Sequence, residues 1–463
     1  MGNKGYISVF LTLILSVMLA LITALITLID LSGAKSRSAE AMRSSMSSVR
    51  ADYNRYLFDQ YHVLFLNKNP NGEGVGKLEA LAEERLSDNL GESYEVKDVA
   101  VTGVTGVTDQ NCLEFKNQIK KAVPYLAADY GLDKIMNEVQ EGNPVSEQTF
   151  QNLNMSRDKG VKKQKGDKDP RRTVRAYQKI GVAYVVLPGD TCFSSYVVDK
   201  SKLPSAGMSG LQLLSMDGKF DDISRLERDL TQNSGLGQNL LQESEGLVYA
   251  ANCFNCLTDQ VQDDTVLSLE LEYLIAGCST DAENYKKVAN QILLIRTGCN
   301  FAYILTDQSK MGRLAGLASA ICVVFPPLEP VVKYLLAAAW SYVEAIADLY
   351  RLVRGKKVPY MKSARTWITD LGNLSNLAGA VGNNEEEDDT SGLDYKSYLL
   401  VLLAPRMKTA YYRMLDVMEL NVNRNITSDE EYFHLDDAIT AFGMSAEIEY
   451  KGQTIQLQEE IGY

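Results

Sequence analysis

Residues 6–29 read YISVFLTLILSVMLALITALITLI, twenty-four positions with no charge, no proline and no glycine. At about 1.5 Å per residue a helix of this length reaches about 36 Å, enough to cross a hydrocarbon core of about 30 Å with some tilt. A buried helix of a soluble domain normally keeps one polar face, and this run has none. A signal peptide is the closer competitor. Lys4 supplies a thin basic flank, and Ser32-Gly33-Ala34 has the small-x-small form of a cleavage site. The apolar region of such peptides is normally about 7–15 residues, far shorter than this run. Residues 1–33 are therefore expected to be a single-pass membrane anchor, touching lipid through residues 6–29.

Beyond the anchor the helical pattern continues. Residues 32–67 contain no proline, and only Gly33 interrupts them. Met42, Met46, Val49, Tyr53 and Tyr56 recur at spacings of four and three, the stripe of one helix face. Pro70, Gly72, Gly74 and Gly76 then mark an end. The expectation is a helical stalk over residues 34–70, continuous with the anchor to about residue 66 and on the order of 90 Å long in all. The stripe has two readings. It packs on the chain's own domain, or Met42, Met46, Val49 and Tyr53 form an assembly face toward other subunits.

The remainder reads as α+β. Residues 71–280 are mixed, with a helix at 77–90, alternating strand residues at 94–108, a helix at 111–130 broken at Pro124, and a strand at 179–188 (KIGVAYVVLP). Residues 157–172 carry eight basic and three acidic residues and read as a solvated basic loop. Residues 281–463 are helix-rich: helices at 284–305, 310–324, 330–353 and 395–420, then a hairpin of 445–450 with 454–457 around Lys451-Gly452. The apolar run at 314–325 is too short to span a bilayer, and the next helix carries Lys333 and Glu344, so the two read as a buried helical hairpin.

Signals for chemistry are sparse. The net charge of −13 argues against nucleic acid as a partner. His62 and His434 are the only histidines, too few for a histidine-based catalytic set or metal site. No phosphate loop, nucleophile elbow or zinc-protease motif is present. Seven cysteines are too few for a disulfide scaffold. Cys253-Phe-Asn-Cys256 has the spacing of a disulfide or thiol pair, but lacks a visible redox fold or a second pair of zinc ligands. The acidic run at 383–389 (NNEEEDD) lacks the spaced ligands of a calcium loop and reads as solvated. No catalytic residue, cofactor, metal or small-molecule substrate is expected.

The N-terminal block, Lys4 to Phe10, the apolar helix and then residues 29–37 (IDLSGAKSR), resembles the start of TadE/TadG-type proteins of tight-adherence, Flp-type pilus systems. Lys4-Gly5-Tyr6 also resembles a prepilin processing site, with Gly5 and Tyr6 flanking the cut, although Phe10 stands where those substrates usually carry glutamate. Residues 292–305 (ILLIRTGCNFAYIL), 326–350 and the closing hairpin are similar to an uncharacterised membrane-protein family found beside Tad genes in Gram-positive anaerobes. The resemblance implies a cell-membrane protein with a pilin-like helix, an extracytoplasmic C-terminal domain and pilin-like or Tad-machinery partners. Lys35, Arg37, Arg43 and Arg50 follow the anchor and would locally favour the opposite orientation, a preference that weakens when a long domain follows. The function so implied is non-enzymatic, in pilus or secretion assembly or in surface contact. The competing class is a membrane-tethered sensor or binding module.

Overall fold

The computed structural model describes residues 4–67, 75–126, 132–141, 170–207, 240, 243–372, 392–424 and 432–463. The chain divides into two compact units. The first comprises Met1–Gln118 with Ile426–Tyr463, and the second Ile119–Asn425. This differs from the boundary expected near residue 280. The closing hairpin belongs with the N-terminal unit, because its partner strand is near the start of the chain.

In the first unit, α1 (Lys4–Arg50) is one uninterrupted helix, about 70 Å long at 1.5 Å per residue. It has two regimes. From residue 8 to residue 30 every side chain is exposed. Beyond that Ala34, Ser38, Ala41, Met42, Ser45, Met46 and Val49 are buried, at spacings of three and four along one face. The helix ends well before residue 66. The Asn54 side chain accepts a hydrogen bond from the Leu57 amide at 3.1 Å and caps a new short helix, α2 (Arg55–Tyr61). His62, in the left-handed region at φ 55°, closes α2, and β1 (Leu66–Asn67) follows.

Next come α3 (Val75–Leu90) and β2 (Tyr94–Gly106). The chain returns at its end as β3 (Ala438–Tyr450) and β4 (Gln453–Gly462). β3 is the central strand, antiparallel to β2 on one side and to β4 on the other, with β1 pairing at Ala438 and Ile439 beyond the end of β4. Lys451 and Gly452 both have positive φ, the two-residue turn that matches strand twist. Phe442, Met444, Ala446 and Ile448 alternate onto one face of β3 and meet Met42, Met46 and Val49 of α1 and Leu78, Ala82 and Leu86 of α3. The core of the unit is thus one helix layer on one antiparallel sheet.

The second unit is helical. α4 (Asp109–Ala122) leads into it and stops where Pro124 lies in a single 3₁₀ turn. Then come α5 (Leu132–Glu141), α6 (Pro170–Ile180) and α7 (Val182–Val185). The expected strand at 179–188 is absent: it is the end of α6, a Gly181 at φ 83° and the turn of α7. Val182, Ala183 and Val186 are buried there without a neighbouring strand, so burial alone accounts for the apolar run. α8 (Ser244–Cys253), α9 (Glu270–Ala276), α10 (Asp281–Thr306), α11 (Gln308–Ile321) and α12 (Glu329–Leu352) follow. α10 and α12 pack along each other, and α11 packs on α12 as a helical hairpin, but not the buried one expected: of α11 only Leu314 and Ala318 are buried. The helix expected over 395–420 is two helices, α13 (Tyr395–Leu403) and α14 (Met407–Arg424), because Pro405 lies in a 3₁₀ turn between them. Of the basic loop at 157–172, only Pro170, Arg171 and Arg172 fall among the described residues, as the first turn of α6. The acidic run at 383–389 lies outside them.

Candidate functional site

Among the described residues, α1 is the one helix long and apolar enough to cross a membrane. Its exposed apolar half ends at Asp30, and the C-terminal hairpin begins to hold it there. Lys451 Nζ lies 2.6 Å from Asp30 Oδ2, and the Tyr450 hydroxyl donates to Asp30 Oδ1 at 3.1 Å. Further along, Arg43 Nη2 pairs with Glu459 Oε1 at 2.8 Å. At the end of α1, Arg50 Nη1 donates to the Gly462 carbonyl at 2.8 Å, and the Tyr463 hydroxyl donates to the Arg50 carbonyl. The lengths match: twenty residues of helix from 30 to 50 rise about 30 Å, and the ten of β4 about 33 Å. The hairpin therefore splints the half of α1 that follows the apolar run.

This seat corrects the reading of the stripe as an assembly face. Met42, Met46 and Val49 are buried within the first unit's own core. Tyr53 lies past the end of α1 in the turn before α2, half-buried, with its ring 5.4 Å from that of Phe58. None of the four is presented to a neighbour on a helix surface. Gly5 and Tyr6 lie in the first turns of α1, and their side chains are outside the described residues.

Cys253 and Cys256 are buried and are not bonded to each other. Cys253 is the last residue of α8, where the helix dipole disfavours a thiolate, the reverse of the N-terminal position that activates redox dithiols. Burial, and then the Glu270 carboxyl, pushes the Cys253 thiol up to about 12; burial and then Glu272 does the same to Cys256. The two are held by a loop organised by Asn255. Its Oδ1 accepts from the Val261 and Gln262 amides at 2.7 and 2.8 Å, and its Nδ2 donates to the Gln262 carbonyl and Thr265 Oγ1. Glu270 Oε2 accepts from the Asn255 amide at 2.8 Å, and Glu272 Oε1 from the Leu257 amide at 3.1 Å. Burial raises Glu270 to about 8 and Glu272 to about 7. These carboxyls bind backbone, and among the described residues no group of three or more His, Cys, Asp or Glu could hold a metal ion.

A second buried centre was not anticipated. Arg296, in the middle of α10, is fully buried. Its Nε lies 3.0 Å from Asp348 Oδ2 of α12, its Nη1 donates to the Tyr360 carbonyl and the Tyr398 hydroxyl, and its Nη2 donates to Asn300 Oδ1. Lys362 Nζ lies 2.8 Å from Glu344 Oε1 and 2.7 Å from Asp348 Oδ1. Glu344 also accepts from the Ile368 and Thr369 amides and the Thr369 hydroxyl. Two cations and two carboxylates thus balance inside the fold. Burial would raise Asp348, but Lys362 and Arg296 hold it below the ordinary carboxylate range. A lone arginine in the apolar run at 292–305 was the available signal, since a charge there requires a partner.

A third centre joins α14 to α9. The Tyr273 hydroxyl donates to Asp416 Oδ2 at 2.7 Å and the Ser205 amide to Asp416 Oδ1 at 2.8 Å. Arg413 Nη1 donates to the Leu274 and Ile275 carbonyls, closing the C-terminus of α9. Burial raises Asp416 to about 6.

Comparison with known proteins finds no match among curated proteins or solved structures. Residues 160–450 match a family model described as a family of unknown function, DUF5702. The match begins ahead of α6, takes in the buried centres of the second unit and ends with β3, so it covers well over half of the chain. The chain belongs to this family of unknown function, DUF5702.

Proposed function

We propose that this chain is a non-enzymatic, membrane-anchored component of a Tad-like pilus or secretion assembly, with its two folded units outside the cytoplasm. One observation carries the reading. A single helix leaves its apolar half exposed along its whole circumference and seats its other half along an antiparallel sheet. Lipid-facing helices associate by close packing and by polar contacts rather than by escape from water. An apolar half free of its own domain suits lateral packing against pilin-like helices, while the splinted half carries the sheet with it. With Met42, Met46 and Val49 enclosed, the contact face lies within residues 8–29. Among the described residues, the buried Arg296, Asp348, Glu344, Lys362 and Glu270 of the second unit bind one another, amide side chains and backbone, an arrangement suited to holding helices together.

The test is photocrosslinking from position 20 of the full chain in native membranes. Adducts with small membrane-helix proteins of the same cell are expected. A chain that crosslinks to lipid alone, or a folded domain wholly protected from protease added to intact cells, contradicts the reading.

A further inference from the structure

Asp30 is the first charged residue after the apolar run, and residues 8–29 before it expose every side chain. As helix those residues rise about 33 Å, against about 30 Å of hydrocarbon and about 40–45 Å once both headgroup layers are included. A helix that crosses a bilayer with this segment therefore brings Asp30 out into a headgroup layer only about 5–8 Å deep.

The turn of the β3–β4 hairpin is what holds Asp30. Lys451 Nζ lies 2.6 Å from its Oδ2, and the Tyr450 hydroxyl donates to its Oδ1 at 3.1 Å. The Tyr450 ring stacks on that of Tyr94, the first residue of β2, with centroids 4.7 Å apart and planes at 26°. The Lys451 ammonium lies 4.9 Å from the centre of the Tyr450 ring. All four residues belong to the first unit. The Lys451 and Asp30 side chains stay 65% and 43% exposed, so the pair is open to whatever surrounds the exit of α1. An ion pair this exposed is worth little in water, and gains weight where the surroundings are less polar. From the turn, β4 runs beside α1 in the same direction, through Arg43 with Glu459 to Arg50 with Gly462.

We propose that the β3–β4 turn is an interfacial membrane element. Tyr94, Tyr450 and Lys451 occupy the headgroup layer around the exit of α1, and the sheet rises away from the bilayer alongside the helix. The partner is the lipid headgroup layer by continuity, because groups that bind Asp30 directly share the depth of Asp30. The residue types suit that depth. Tyrosine places an apolar ring and a polar tip at a membrane surface, and lysine extends an apolar stem with its ammonium toward the phosphates. Asp30 enters the layer already paired, which offsets the cost of a carboxylate beside hydrocarbon. The proposal rests on the reading of α1 as a membrane anchor and adds which end of the sheet meets the lipid.

The test uses the full chain in phosphatidylcholine liposomes that contain lipid with a nitroxide on its headgroup. Gln453→Trp places an indole at the exposed start of β4, beside the turn, and Glu460→Trp places one at an exposed position seven residues further on, about 23 Å away. The unsubstituted chain sets the background from native Trp340 and Trp367. Flotation with the liposomes and an unaltered circular dichroism spectrum establish anchoring and folding. Above that background, the nitroxide should quench Gln453→Trp at least about twofold more than Glu460→Trp. Floating protein in which both variants stay at background overturns the proposal, because the sheet is then held off the bilayer. Equal quenching of the two also overturns it, because the sheet then lies along the surface. Both results leave the anchor reading standing. Protein that fails to float overturns the anchor reading itself, and this proposal with it.

Discussion

At the scale of single residues, the interior of the second unit depends on charges that have no route to water. Arg296 uses all three guanidinium nitrogens, and removing it would leave buried Asp348 with only Lys362 and the Asn300 amide as side-chain partners. Arg296→Met is expected to cost about 3–5 kcal/mol of unfolding free energy, measured by urea denaturation of the detergent-solubilised chain. A loss below about 1 kcal/mol would mean that the network is not formed. Asn255 is a sharper probe of the 255–265 loop, since its side chain makes four polar contacts while fully buried. Asn255→Ala should cost about 2–4 kcal/mol and expose Cys253 and Cys256 to a thiol reagent that the native protein excludes. Little of this was legible in the sequence. An arginine inside 292–305 announces a partner, but Asp348 lies 52 positions away on α12 and Lys362 lies beyond the end of that helix, so only the packed fold brings them together. The Cys-x-x-Cys spacing pointed to a pair, whereas both thiols are buried and unbonded, with Cys253 at the C-terminal end of α8.

At the scale of elements, local signals with a built-in stop were read correctly. Pro326 and Pro327 form the 3₁₀ turn between α11, which already ends at Ile321, and α12, which has Pro330 in its first turn, and Lys451-Gly452 makes the hairpin turn. Signals without a stop were over-read. The stripe from Met42 to Tyr56 suggested one long helix, but the Asn54 cap and the left-handed His62 divide it. The apolar run at 179–188 satisfied strand patterning while folding as helix, because periodicity cannot separate the two in a short buried stretch. The hairpin turn carries a prediction of its own. Gly452 has φ 75°, which a β-branched residue strongly disfavours. Gly452→Val is expected to destabilise the first unit by about 1–2 kcal/mol. Hydrogen exchange should accelerate in β4 and in residues 30–50 of α1, which β4 splints. Unchanged protection of α1 would show that the hairpin does not hold it.

At the scale of the molecule, the sequence conveyed the class, a helix-anchored α+β protein with a helix-rich later part, but not the division into units. Strand pairing between β2 and β3 joins residues more than 300 positions apart, which no local pattern encodes. The buried carboxyls also make a global statement about pH. Glu270, Glu272 and Asp416 hold their protons to about 8, 7 and 6 in the folded state, while carboxyls in an unfolded chain titrate near about 4. Between these limits the folded unit binds more protons than the unfolded chain, so its stability falls as pH rises. Toward more acid pH the opposite sign takes over, because Asp348 is held low and Asp307 is lowered to about 2. The second unit should therefore melt a few degrees higher at about pH 5.5 than at about pH 8.5. A midpoint that is flat or rises over that range would mean these carboxyls are ionised in the fold.

The central claim is that α1 stays on the mature protein and holds it in a bilayer. Mass spectrometry of the N-terminal peptide from carbonate-washed native membranes tests this most directly. A mature N-terminus at Met1 or at Tyr6, on protein that remains with the washed membranes, is the result expected. A mature N-terminus at Lys35, on protein released from the membranes, would contradict it.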